Sequence, residues 1–184
     1  AAYKAIREHA KINVDRINEL ESEYEHDLIA FVVQIQESLE AAGVGQYKNE
    51  LHRSLTSYDV EDPALVLMLR ETTSAVIREL AYLAVALDNK AKEHAWTLMI
   101  ARTHGQFAEP DTFGHLLLVF HQAILRSIHR LRTIRDDAFG VGLGEAKMSG
   151  AVGNYGDISP SLEEKALAEL GLRAAPAETQ ILQR

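Results

Sequence analysis

Ile17, Leu20, Tyr24, Leu28, Phe31, Ile35 and Leu39 recur at intervals of three and four, which lines one side of an α-helix. The spacing predicts one helix through Leu39, stopped by Gly43 and Gly45 as C-terminal glycines stop helices. A second stripe runs Leu65, Leu69, Thr72, Val76, Leu80, Leu83 and Leu87. Asp62 and Pro63 supply its expected start, a capping carboxylate followed by a proline in the first turn. Neither proline nor glycine interrupts the chain from Ala64 to Arg102. Phe113, Leu117, Phe120, Ile124, Ile128 and Leu131 form a third stripe, whose helix is expected to end near Phe139–Gly140. A shorter helix should follow Ser159–Pro160 and close at Gly171. No alternating run predicts a strand, and no repeat or low-complexity tract is present. The expected fold is all-α, a bundle of long helices.

Helices of about 25 to 40 residues exceed the roughly 8 to 20 usual in globular domains. A compact monomer of 184 residues cannot cover such rods on every apolar side. Ala30 and Val33 also lie away from the main stripe of the first helix. The expectation is a bundle completed by other copies, with a monomeric up-and-down bundle as the alternative.

Composition narrows the class further. The chain is 47% apolar and 25% charged, ordinary usage for one globular domain. Its net charge of −8 argues against nucleic acid as a partner, since such binders need a basic surface. It leaves room for a basic pocket that takes a small anion. Without cysteine, disulfides and thiolate metal sites are excluded. An apolar run such as Leu116–Phe120 has five residues, whereas a membrane helix needs about 20. Ala1-Ala2-Tyr3-Lys4 lacks the apolar stretch of a secretion signal, so the cytosol is the expected compartment. It also lacks an initiator Met, so the sequence is expected to begin inside a longer chain.

Candidate chemistry falls between the helices. Ala101-Arg102-Thr103-His104-Gly105-Gln106-Phe107-Ala108-Glu109-Pro110 combines a histidine, a glycine that permits close backbone approach, and hydroxyl and amide groups able to orient a carboxylate. A histidine there can serve as a general acid, because its ordinary pKa lies near working pH.

Several blocks then resemble the adenylosuccinate lyase family. Thr103-His104-Gly105-Gln106, Ala108-Glu109-Pro110 and Thr112-Phe113-Gly114 are similar to the family's T-H-G-x-x-A-E-P-T-T-F-G stretch. Glu25-His26-Asp27 with Ile29-Ala30-Phe31 resembles its H-D-V-I-A-F helix. His52 and Leu55-Thr56-Ser57-Tyr58-Asp59-Val60-Glu61-Asp62 resemble its H-x-x-L-T-S-x-D-V-x-D-T block. Lys147-Met148-Ser149-Gly150-Ala151-Val152-Gly153-Asn154-Tyr155 and the run from Ala175 to Arg184 resemble two later ones. The blocks occur in family order across Tyr24–Arg184.

The resemblance implies membership of the fumarase/aspartase superfamily and an anti elimination that releases fumarate. The implied substrates are adenylosuccinate and the succinyl-carboxamide intermediate of purine synthesis. A base removes a proton beside a carboxylate while an acid protonates the departing nitrogen. Carried over by position, His104 is the acid. His26, Asp27 and His52 fall among substrate-pocket residues, Thr56 and Ser57 match the pair that binds a carboxylate, and Thr103 and Gln180 match substrate-binding positions. The implied partners are a small-molecule substrate and other copies of the chain, a homotetramer in the family, with neither metal nor cofactor. Residues 1–110 then form an N-terminal helical part carrying the pocket blocks, and 111–184 begin the central bundle.

Other readings of the same residues stay open. His26 sits two positions from Tyr24, which puts it opposite the core stripe as a plain surface residue. Thr56 and Ser57 also suit a turn ahead of Asp62–Pro63. Arg126, His129, Arg130, Arg132 and Arg135 suit a solvated or intersubunit helix face, and Gly140, Gly142 and Gly144 a flexible turn over the pocket. Family members also continue past the block at Arg184, with a Ser-rich S-S-x-M-P-x-K-x-N-P loop that supplies the base. These 184 residues contain no such pattern, so the chain alone is expected to be inactive. Pro63, Tyr58, Asp111, Phe107 and Glu25 depart from the family pattern, the carboxylates at 25 and 111 repelling a dianion if they face it. Another fumarate-releasing or cycloisomerase relative, or a non-catalytic helical module, are the alternatives in function.

Overall fold

The computed structural model describes residues 1–136 and 142–183. Three helices open the chain, α1 (Ala2–His9), α2 (Val14–Tyr24) and α3 (Asp27–Ala41). The single helix expected through Leu39 is thus two. Glu25 takes a left-handed conformation (φ 52°, ψ 33°) and His26 an extended one (φ −153°). Asp27 then starts α3, its carboxylate accepting the Leu28 N–H at 2.7 Å. The break was hidden because the three–four spacing runs on through both helices, and neither Glu25 nor His26 is a helix-stopping residue type. Leu20, Leu28, Ile35 and Leu39 are buried as their stripe predicts. The approach to α2 is tied down by Gln34, which accepts the Asn13 N–H (3.1 Å) and donates to the Lys11 carbonyl (3.0 Å). Gly43 ends α3 in the left-handed region (φ 76°).

α4 (Tyr58–Glu93) has 36 residues, about 54 Å at 1.5 Å per residue. It begins four residues ahead of the Asp62–Pro63 start expected from sequence, and Pro63 lies inside it. So near the helix N-terminus the proline forfeits only one backbone bond, that to the Asp59 carbonyl. Along the stretch of α4 from Ser74 to Ala91 the buried positions are Ile77, Ala84 and Ala91, small or branched residues that let α5 (Phe113–Asp136) lie alongside. α5 runs antiparallel to it, since Arg135 reaches Ser74 (3.4 Å) and Gly114 sits against Ala91. A side chain at Gly114 would bring its Cβ to 2.4 Å from the Ala91 carbonyl oxygen, so this close approach requires glycine. The stripe that predicted α4 mostly points elsewhere: Leu65, Leu69, Val76 and Leu83 are 47%, 38%, 43% and 45% exposed.

Between α4 and α5 the chain forms a hairpin, β1 (Leu98–Thr103) and β2 (Gln106–Thr112), where the sequence predicted no strand. Thr103 pairs with Gln106 across a two-residue turn. Both turn residues, His104 (φ 51°) and Gly105 (φ 75°), are left-handed, the geometry that matches strand twist in tight hairpins. The strands escaped notice because neither face is buried. Leu98, Ile100 and Phe107 stand exposed, leaving no inside–outside alternation to read. The predominantly helical architecture is as expected.

A hydrophobic core gathers Val66, Leu143, Ala146, Leu167 and Leu172. It joins the start of α4 to α6 (Pro160–Glu169) and to the short parallel pair β3 (Glu145–Ala146) and β4 (Arg173–Ala174). Ser159 caps α6 by accepting the Leu162 N–H at 3.2 Å, and Gly171 (φ 67°) follows its end, both as predicted. The expected end of α5 at Phe139–Gly140 lies outside the described residues. Among the described residues no helix is long and apolar enough to cross a membrane.

Candidate active site

The break at Glu25–His26 and the loop ahead of α4 together open a cleft of about 320 Å³. His26, His52, Thr56 and Ser57 line it on the polar side, and Ile29, Val32 and Val33 of α3 on the apolar side. Four of the eight nominated residues are therefore gathered at one place. His52 (φ 56°) and Ser54 (φ 63°) lie in the left-handed region, a strained conformation for residues with a Cβ. The Nδ1 atom of His52 is buried and has no hydrogen-bond partner among the described residues. Burial pushes the His52 pKa down, Asp59 partly offsets this, and His26 adds to it. These surroundings favour the neutral form of the His52 imidazole. Asp27 lies beside the cleft, 3.2 Å from His26 Nδ1. Glu61 has its carboxyl pushed up, first by burial and then by Asp27.

Beneath the cleft is a charged pair that sequence reasoning did not single out. Lys147 Nζ lies 2.5 Å from Asp59 Oδ1, and neither side chain exposes any surface. Asp59 Oδ2 also accepts the main-chain N–H of Thr56 (2.9 Å) and of Gly150 (3.0 Å), while Lys147 donates to the Gly150 carbonyl at 3.1 Å. Burying charge demands such partners. The Asp59 carboxylate, in the first turn of α4, therefore joins the Thr56 segment to the loop at 147–150. Both residues stood in blocks already noted, but nothing in the linear chain pairs positions 88 apart.

The second loop is held from behind. Tyr155 donates to Glu163 Oε2 at 2.8 Å, and Glu163 Oε1 accepts the Met148 N–H at 2.7 Å. The Glu163 carboxylate pushes the Tyr155 phenol up to about 12. Gly150 (φ 81°) and Gly153 (φ 70°) need left-handed backbone, and a Cβ on Gly153 would come within 2.8 Å of the Glu178 carbonyl oxygen. That contact brings the 178–180 segment in, where Gln180 donates to Thr56 Oγ1 (2.8 Å) and accepts the Val152 N–H (3.0 Å). Ser149 Oγ is buried without a hydrogen-bond partner among the described residues.

His104 and Thr103 are elsewhere. They form the exposed tip of the hairpin, which leaves the C-terminal end of α4, whereas Thr56 and Ser57 precede its N-terminal end. Within one chain the nominated acid is separated from the cleft by the length of α4. Asp111, on the same hairpin, is occupied: it accepts the Thr112 N–H (2.7 Å) and faces His115 Nδ1 (2.9 Å), which together hold its carboxyl below the usual range. Arg126, His129, Arg130 and Arg132 are exposed on α5; Arg135 is held by Asp136 at 2.6 Å. Among the described residues no group of three or more His, Asp or Glu is placed to hold a metal.

The chain is 39% identical over 181 residues to adenylosuccinate lyase from Bacillus subtilis (strain 168), covering 98% of this chain and 40% of that protein. The same figures hold for adenylosuccinate lyase from Staphylococcus saprophyticus. The chain thus spans about two fifths of the length of these curated relatives. Its fold is similar to a fumarate lyase from Mesorhizobium sp. BNC1 (TM-score 0.82, 24% identity, 96% of this chain and 40% of that one). It also resembles 3-carboxy-cis,cis-muconate lactonizing enzyme from Pseudomonas putida (TM-score 0.78, 26% identity, 91% and 37%). The model of the family described as Lyase matches residues 1–183, and the chain belongs to that lyase family.

Proposed function

We propose that this chain carries the substrate cleft and the general acid of an adenylosuccinate lyase. The observation that carries the reading is the cleft itself: His26, His52, Thr56 and Ser57 converge on one cavity, in a chain 39% identical to two such enzymes. A dicarboxylate enters with one carboxylate on the Thr56–Ser57 loop, whose hydroxyls are donors suited to it. A base takes a proton from the carbon beside a carboxylate, the electron pair forms the C=C bond of fumarate, and the C–N bond breaks. His104 protonates the departing nitrogen. The base belongs to a Ser-rich loop that these 184 residues do not contain.

On this reading the acid arrives from a second copy, as His104 and the cleft lie at opposite ends of α4. The half-exposed stripe Leu65, Leu69, Val76 and Leu83 supplies apolar surface for that assembly, a homotetramer working in the cytoplasm. Ultraviolet absorbance tests the activity directly. The full-length gene product should cleave adenylosuccinate, and this 184-residue segment alone should not. Folded full-length protein that leaves adenylosuccinate intact while cleaving another dicarboxylate would move the substrate assignment within the superfamily.

A further inference from the structure

We propose that Gln180 is a positioning residue that commits the Thr56 hydroxyl to donate into the cleft. The inference rests on the carboxylate-binding reading of Thr56 given above and adds how that donor is set.

The argument starts from a group with no choice. The Val152 N–H can only donate, so the Gln180 oxygen must face it, as it does at 3.0 Å. This fixes the amide orientation and turns the Gln180 nitrogen towards Thr56 Oγ1, 2.8 Å away. An amide nitrogen only donates, so the Thr56 oxygen accepts here, and its hydrogen must point away from Gln180. Among the described hydrogen bonds Thr56 Oγ1 donates none. The Thr56 main-chain N–H is already given to Asp59 at 2.9 Å, which also stops the loop from rotating. The hydroxyl hydrogen is thus the one uncommitted donor of Thr56, and Thr56 lines the cleft beside His52 and Ser57. A carboxylate oxygen, an acceptor only, is the ligand group that this donor suits.

Gln180 spans two loops to do this. Its oxygen is anchored on the Val152 turn (φ 52°), and that turn is joined through Gly150 to the buried Asp59. The clasp runs from Asp59 through Gly150 and Val152 to Gln180 and back to Thr56, so the hydroxyl is aimed before any ligand arrives. The competing role for Gln180 is direct contact with the ligand through its second N–H.

A double-mutant cycle separates the two roles, with fumarate binding to the full-length gene product measured by calorimetry. Thr56→Val should weaken fumarate binding about 10- to 100-fold, the worth of a hydrogen bond to a charged group. Gln180→Met should weaken it several-fold in the parent and leave it unchanged in a chain that already carries Thr56→Val. Thr56→Ser, which keeps the hydroxyl, should retain the sensitivity to Gln180→Met. If Gln180→Met unfolds the protein, Gln180→Glu replaces it. Its carboxylate takes the Thr56 hydrogen, so its effect beyond simple charge should vanish once Thr56→Val is present. Equal, additive losses in both backgrounds would overturn the positioning role alone, leaving the lyase reading intact. A parent that binds no fumarate would overturn the carboxylate reading and the proposal with it.

Discussion

Asp59 and Lys147 meet at 2.5 Å with no exposed surface on either side chain, and this pair is the floor on which the candidate site stands. Removing one partner leaves the other charged and buried. Lys147→Met should therefore cost about 3 to 5 kcal/mol of stability, measured by denaturant unfolding. Replacing both, Asp59→Leu with Lys147→Met, should recover part of that loss, because an apolar pair carries no desolvation penalty. It should not recover fumarate binding, because the Thr56 and Gly150 N–H groups lose their acceptor. A single Lys147→Met variant as stable as the parent would show that the pair is not a structural lock.

His52 gives the cleft a pH signature. Burial lowers its folded pKa below the ordinary value of 6.5, so the unfolded chain binds more protons in the window just below 6.5. Stability therefore rises with pH through that window, is fully present above 6.5 and is lost as pH falls towards the depressed folded value. Urea midpoints between pH 7 and 5 should fall in the parent and fall less steeply in His52→Gln. Glu61 acts with the opposite sign: its raised carboxyl pKa contributes stability below the unfolded value of 4.5 that is lost as pH rises above it. Identical slopes for parent and His52→Gln would mean that the imidazole is not held neutral by its surroundings.

His104 can be separated from the turn it occupies. At φ 51° it needs a residue that tolerates left-handed backbone, and asparagine does so better than most. His104→Asn should keep the hairpin and the melting temperature yet lower turnover about 10²- to 10⁴-fold. A steady-state assay beside a thermal melt checks both. Near-normal turnover would remove His104 from the acid role.

The legible parts of the fold were those whose pattern is local. α6 announced itself by Ser159–Pro160 and Gly171, and α4 and α5 by apolar spacing. What escaped was set by tertiary geometry. The break at Glu25–His26 preserves the helical period, so no one-dimensional pattern could register it. The hairpin has no buried face, hence no alternation. On α4, spacing picked out Leu65, Leu69 and Val76, whereas the line packed within this chain runs through Ile77, Ala84 and Ala91. Large side chains mark an apolar stripe, but small ones mark where two helices of one chain meet. At the site, the residue types of the cleft could be read from their blocks. The Asp59–Lys147 pair and the reach of Gln180 to Thr56 could not, because they join positions 88 and 124 residues apart.

The most direct test of the account is whether His104 serves a cleft on another chain. Full-length His104→Ala and His52→Ala variants, each inactive, would be co-expressed or mixed through partial unfolding, and adenylosuccinate cleavage followed by ultraviolet absorbance. Activity should return in the mixture, because some hybrid assemblies pair an intact hairpin from one chain with an intact cleft from another. Hybrids that form, as seen by native mass spectrometry, but stay silent would contradict it, placing both groups in a site that one chain must complete.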